Sequence, residues 1–119
     1  MPTVLLVEDE ALIALVVGEA LEDAGYCVEI AHSAAEAYAR LEPEPRSFNI
    51  VLTDVNLGRG DNGFCVGRRA CHLNPDVQLA YMTGRPENFD GFDPDGALLF
   101  SKPFDLQELV RELGQLIPT

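Results

Sequence analysis

Basic residues are scarce in this chain: eight lysines and arginines stand against 20 aspartates and glutamates, for a net charge of −12. Nucleic-acid binding needs a basic footprint, and so does attachment to anionic membranes, so both partner classes are disfavoured. The same acidity is compatible with a divalent cation or a basic partner surface, and also with nothing beyond solubility. Long apolar runs are missing too. Val4 to Val7 is too short for a signal sequence or a membrane span, and Glu8, Asp9 and Glu10 follow at once, which no export signal tolerates. Cysteine is limited to Cys27, Cys65 and Cys71, an odd set with no ligand-like spacing. Cys65 and Cys71 would fall on different faces of a helix. Buried or half-buried free thiols in a reducing cytoplasm are expected.

What is present reads as one domain over residues 1–119, with 47% hydrophobic residues and no repeat, low-complexity segment or linker. Short apolar runs rich in β-branched residues alternate with segments of helical periodicity. Thr3 to Val7 is the first strand, and Ala11 to Ala24 the first helix. Its apolar positions Leu12, Ile13, Val16, Val17, Ala20 and Leu21 recur at helical spacing, and Gly25 stops it. Cys27 to Ala31 is the second strand. Ser33 with Glu36 makes a capping box for a helix reaching about Leu41, ended by Pro43 and Pro45. Ile50-Val51-Leu52 is apolar throughout, as in a parallel strand buried on both faces, and it ends abruptly in Asp54. After Gly58, Gly60 and Gly63, a third helix is expected to about Leu73, with Gly67 an unfavourable interior residue. Val77 to Met82 is the fourth strand, leading into Thr83-Gly84. Arg85 to Gly96 is too rich in Pro, Asp and Gly for a good fourth helix, and a short turn or mobile loop is expected. Ala97 to Ser101 is the fifth strand. Asp105 and Glu108 open the last helix, faced by Leu106, Leu109, Val110, Leu113 and Ile117.

Five strands alternating with helices predict an α/β fold, a doubly wound five-stranded parallel sheet. The flavodoxin-like strand order 2-1-3-4-5 is the common one at this size. In such a sheet the carboxyl ends of all strands share one edge. Glu8 and Asp9, Asp54 and Asn56, Thr83, and Lys102-Pro103 all follow strand ends, so residues far apart in sequence should converge there. Three neighbouring carboxylates repel unless a cation neutralises them, and hard oxygen ligands select Mg²⁺. The Asn56 backbone carbonyl is a further candidate ligand. A carboxylate held on a cation can act as nucleophile toward a phosphoryl group. Such a transfer needs positioning and neutralisation more than covalent help. Lys102 is a point charge able to follow the phosphoryl oxygens, and the Thr83 hydroxyl can donate to one.

Taken together, Val-Leu-Leu-Val-Glu-Asp-Glu at 4 to 10, Asp54 after an apolar strand, Thr83 after another and Lys-Pro-Phe at 102 to 104 resemble the receiver domain of two-component response regulators. The resemblance covers nearly the whole chain. It implies a signalling module in place of an enzyme proper, with only Mg²⁺-dependent self-phosphorylation and dephosphorylation. It implies that Asp54 accepts a phosphoryl group from a histidine kinase, that Thr83 and Lys102 contact that group, and that Glu8, Asp9, Asp54 and the Asn56 carbonyl hold Mg²⁺. It also implies a cis Lys102–Pro103 bond. Asp54-Val55-Asn56-Leu57-Gly58 and Tyr81-Met82-Thr83-Gly84 further resemble the stand-alone FAT GUY regulators, partners of HWE-type and related kinases, although Tyr81-Met82 replaces the Phe-Ala of their motif.

One departure stands out. Receivers usually carry an aromatic residue three before the lysine, and here that position is Leu99. Phe100 is the neighbour and points to the opposite face of a strand, so it is no simple replacement. Output is therefore expected to pass through the Arg85 to Gly96 loop. Other readings compete with the receiver. A phosphohydrolase would want a second acid two residues after the nucleophile, where Asn56 stands. A flavin-binding protein of similar fold would want a hydroxyl-rich loop after the first strand. A phosphate-independent pseudo-receiver or adaptor remains the alternative. The downstream partner is an unknown protein.

Overall fold

The structure, a computed structural model, describes residues 2–58, 60–84 and 97–116. Its strands are β1 (Thr3–Val7), β2 (Cys27–Ala31), β3 (Ile50–Asp54), β4 (Gln78–Thr83) and β5 (Leu98–Ser101). They form one parallel sheet in the order β2-β1-β3-β4-β5, the flavodoxin-like arrangement. Among the described residues the helices are α1 (Ala11–Asp23), α2 (Ala34–Leu41), α3 (Gly63–Leu73) and α4 (Leu106–Gly114), with a 3₁₀ turn at Pro45–Ser47. No helix among them is long and apolar enough to cross a membrane. The expected loop from Arg85 to Gly96 and the helix-face residue Ile117 lie outside the described residues.

The apolar runs form central strands because they have a core to fill on both sides. Side chains alternate along a strand, and the two sets are buried in separate layers. Val4, Leu6, Ile50 and Leu52 pack with Val17 and Leu21 of α1 and Leu109 and Leu113 of α4. Leu5, Val7 and Val51 pack on the other face with Ala37 and Leu41 of α2 and Val66 and Ala70 of α3. Each fully buried leucine contributes about 1.5–3 kcal/mol relative to exposure, so this two-sided core holds the middle strands rigidly.

Local signals set the helix ends. Ser33 Oγ accepts from the Glu36 N–H at 3.1 Å, while the Glu36 carboxylate reaches back to the His32 N–H, one residue earlier than a reciprocal capping box would use. Asp105 Oδ1 accepts from the N–H groups of Gln107 and Glu108, starting α4. Two expectations need correction. The apolar pattern of α1 is wider than its buried face: Ala14, Val17, Gly18 and Leu21 face the sheet, whereas Leu12 is 72% exposed and Leu15 and Val16 also face outward. And while Cys65 and Cys71 are half-buried free thiols, Cys27 is exposed, because it begins β2 at the sheet's outer edge.

Candidate functional site

The strand ends converge as parallel topology requires. Val7 pairs with Thr53, Asp54 with Met82, and Thr83 with Ser101, so the residues that follow these positions meet at one edge of the sheet. The Glu8 N–H donates to the Ala31 carbonyl at 3.0 Å, carrying the ladder between β1 and β2 one residue past the strand and fixing the backbone from which the Glu8 side chain projects. On the other side, the Val55 N–H donates to the Met82 carbonyl at 2.9 Å and the Lys102 N–H to the Thr83 carbonyl at 2.7 Å. Lys102 is thereby returned to the pocket, and the Lys102–Pro103 bond is cis.

Within the pocket, Lys102 Nζ donates to Glu8 Oε1 at 2.7 Å and to Asp54 Oδ2 at 3.0 Å. The other Asp54 oxygen, Oδ1, accepts from the Asn56 N–H at 3.0 Å, and Glu8 Oε2 accepts from the Glu10 N–H at 3.2 Å. Glu8 is fully buried, Asp54 nearly so, and Asp9 is exposed at the mouth. Carboxylate oxygens of Glu8, Asp9 and Asp54 all lie within 4.8 Å of one another. Among the described residues one ammonium faces three carboxylates, and the electrostatics follow. Burial raises the Glu8 carboxyl to about 7; the Lys102 bond opposes this, while the neighbouring Asp54 adds to it. Partial burial pulls the Lys102 ammonium down, but its bonds to Glu8 and Asp54 outweigh that and hold it above its ordinary value. An all-oxygen donor set with excess negative charge, open at Asp9, fits a hard divalent cation such as Mg²⁺.

Of the residues singled out from sequence, Glu8, Asp9, Asp54 and Lys102 are thus brought into one pocket. Thr83 is the last residue of β4 and fully buried at the same edge, and Asn56 lies exposed just past β3. Leu99 is 38% exposed, and Phe100 turns into the core, where its ring packs edge-on against Phe104 at 6.2 Å. Leu99 pairs with Tyr81 in the neighbouring strand, and Tyr81 is buried edge-on against Phe64 of α3 at 5.1 Å. The aromatic bulk on this face therefore sits one strand further in than the position before the lysine.

Several neighbours of the site carried no sequence signal. His32 Nδ1 lies 3.0 Å from the Glu8 carbonyl oxygen. Arg69 bonds Glu42 and covers the Tyr38 ring. An apolar groove of about 470 Å³ runs beside the pocket, lined by Leu12, Ile13 and Val16 of α1 and by Lys102, Pro103 and Phe104. Leu12 and Val16 stand on a part of α1 that the sheet leaves uncovered, which the helical spacing of its apolar residues does not single out.

Known proteins match this arrangement along its length. A family model for the response regulator receiver domain matches residues 4–114. The response regulator receiver protein CpdR of Brucella abortus is 37% identical, over 98% of this chain and 98% of its own. The transcriptional regulatory protein TrcR of Mycobacterium tuberculosis is 32% identical over 96% of this chain, which spans only 44% of it. A crystal structure of a response regulator receiver protein from Sinorhizobium medicae superposes with a TM-score of 0.89 at 27% identity, covering 97% of this chain and 93% of that one.

Proposed function

This chain belongs to the response regulator receiver domain family of two-component systems, and on that premise we propose that Asp54 accepts a phosphoryl group from a histidine kinase, with Mg²⁺ bound by Glu8, Asp9, Asp54 and the Asn56 backbone carbonyl. The observation that carries the reading is the Asp54 carboxylate fixed at both oxygens, by the Asn56 N–H and by Lys102, beside two further carboxylates. A carboxylate held in this way needs no rotation before attack. As the Asp54 O–P bond forms, the P–N bond of the donor phosphohistidine breaks and the imidazole leaves with the bonding pair. Lys102 stays within reach of the phosphoryl oxygens and the Thr83 hydroxyl donates to one of them. Bound Mg²⁺ supplies neutralisation of the clustered acidic oxygens and of the incoming phosphoryl charge. Intrinsic phosphorylation and dephosphorylation are the extent of the chemistry, and the phosphorylated form acts by changing its affinity for a protein partner. Asp54-Val55-Asn56-Leu57-Gly58 and Thr83-Gly84 support placing the chain in the FAT GUY subgroup, with an HWE-type or related kinase. A cytoplasmic location fits such a partner.

The test is direct. With Mg²⁺ and a small acyl phosphate the protein gains one phosphoryl mass, and Asp54→Asn gains none. No gain in a wild-type protein that still binds Mg²⁺ would favour the pseudo-receiver, and steady turnover of generic phosphomonoesters would favour a hydrolase.

A protein donor must cover the pocket mouth to deliver its phosphoryl group, and the groove of Leu12, Val16 and Phe104 adjoins that mouth through Lys102. The kinase is therefore expected to seat an apolar surface there. Leu12→Glu combined with Val16→Asp should slow transfer from the cognate kinase by at least about tenfold, the loss from truncating a central apolar anchor, while labelling by acyl phosphate stays at the wild-type rate. Equal losses in both assays would remove the docking role.

A further inference from the structure

Among the described residues Tyr38 has no hydrogen bond to the acidic pocket, yet it bonds the loop beside it. The loop leaves β3 at Val55 and reaches α3 at Gly63, and its described residues are 55–58 and 60–63. Near its start the Asn56 N–H is bonded to Asp54 Oδ1 at 3.0 Å, and a Cβ built on Gly58 would stand 3.3 Å from Asp9 Oδ2, so the backbone passes close to the most exposed of the three carboxylates. At its end the Asn62 side chain accepts from the Cys65 N–H to cap α3, and the Gly63 N–H donates to the Val55 carbonyl at 2.8 Å. Between these anchors, Asp61 Oδ2 accepts a 2.8 Å bond from the Tyr38 hydroxyl.

Tyr38 is itself held. It is half-buried on α2, the Arg69 guanidinium of α3 lies 4.9 Å over its ring, and Arg69 is paired with Glu42 at the end of α2. Burial, with the Asp61 bond and charge adding to it, pushes the phenol up to about 12, so the hydroxyl remains a donor throughout the range in which the pocket carries its negative charge.

We propose that Tyr38 is a positioning residue for metal binding: through Asp61 it holds the loop between β3 and α3 beside Asp9, and so raises the affinity of the Glu8, Asp9 and Asp54 cluster for a divalent cation. The inference rests on the reading of that cluster as a Mg²⁺ site. Its physical basis is preorganisation. A loop already fixed against the carboxylates pays less conformational entropy when a cation draws oxygens together. Tyr38→Phe removes the tether without altering charge and keeps the ring under Arg69.

Mg²⁺ alone is the probe, titrated calorimetrically into the whole chain. Tyr38→Phe should bind about fivefold more weakly than wild type, the size of one net hydrogen bond. Tyr38→Phe with Asp61→Ala should be no weaker than Asp61→Ala alone, because both break the same link. Asp61→Asn keeps an acceptor for Tyr38 and should bind more tightly than Asp61→Ala. At saturating Mg²⁺, acyl phosphate should label Tyr38→Phe at the wild-type rate, separating a binding defect from a chemical one. Wild-type affinity in Tyr38→Phe overturns the proposal, as does a lowered metal-free melting temperature with affinity unchanged. Asp9→Asn distinguishes the two layers: wild-type binding that this variant abolishes upholds the Mg²⁺ site whatever Tyr38 does, and a wild type that binds no Mg²⁺ overturns both.

Discussion

Mg²⁺ affinity should fall by roughly 100-fold between pH 8 and pH 5, and the Glu8 carboxyl sets that slope. Burial holds this group at about 7 in the metal-free fold, against an ordinary 4.5, so below neutrality the pocket carries a proton that a cation must displace. Apparent affinity then drops about tenfold for each pH unit below 7 and levels off above it. The sign for folding is opposite. Because the native state binds this proton more tightly than the unfolded chain does, the metal-free protein gains stability from it below about 4.5 and loses that gain as pH rises through about 7. Mg²⁺ should reverse the trend, stabilising most where the carboxylates are fully ionised. Thermal melts from pH 5 to pH 8, with and without excess Mg²⁺, would show two curves diverging as pH rises. Glu8→Gln should flatten the metal-free curve over this range and raise it at pH 8, while weakening Mg²⁺ binding. An affinity that stays level across the range would mean that Glu8 is already ionised at pH 5 and that the pocket is not strained by its own charge.

Much of this pocket was legible from sequence because each of its groups stands at the end of a strand or just beyond it. The strands announce themselves: Val4 to Val7 and Ile50 to Leu52 are apolar throughout, which only a two-faced core rewards, and turn residues bracket them. Once five such runs are parallel, Glu8, Asp54 and Lys102 have one edge to share. What sequence could not supply is pairing between elements. Tyr38 and Asp61 are 23 residues apart, and Arg69 and Glu42 are 27 apart; neither separation has a period that would mark it. The outward half of α1 was hidden for a related reason. Its apolar positions run nearly around the helix, and periodicity alone does not say which of them the sheet covers. Leu99 shows the converse. Its departure from the receiver pattern was plain, but the bulky ring buried beside it on the same face belongs to Tyr81, across the ladder, and only the register reveals that.

Among the described glycines, Gly63→Ala should be the most damaging substitution, costing about 3 kcal/mol or more and disabling Asp54 together with the fold. A Cβ there would land on the Asp54 carbonyl oxygen, with the Asp54 carbonyl carbon at 2.8 Å and Val55 Cα at 2.9 Å. All three atoms are backbone of β3 and the turn after it, so relief requires α3 to lift away from the strand that presents Asp54. Gly67 is the instructive contrast. It interrupts a helix that Ala would favour by about 1 kcal/mol, and the reason lies across the interface: a Cβ at 67 would collide with the Tyr81 hydroxyl. That obstacle is the end of a side chain, which mutation can remove. Gly67→Ala should therefore destabilise the wild type yet cost clearly less in a Tyr81→Phe background, giving a coupling of about 1 kcal/mol in a double-mutant cycle. No partner substitution should rescue Gly63→Ala. Urea denaturation reads the stabilities, and acyl phosphate labelling reads the pocket. If Gly63→Ala folds and labels like wild type, then α3 is not seated on the Asp54 turn, and the close approach that orders this side of the site is not essential to it.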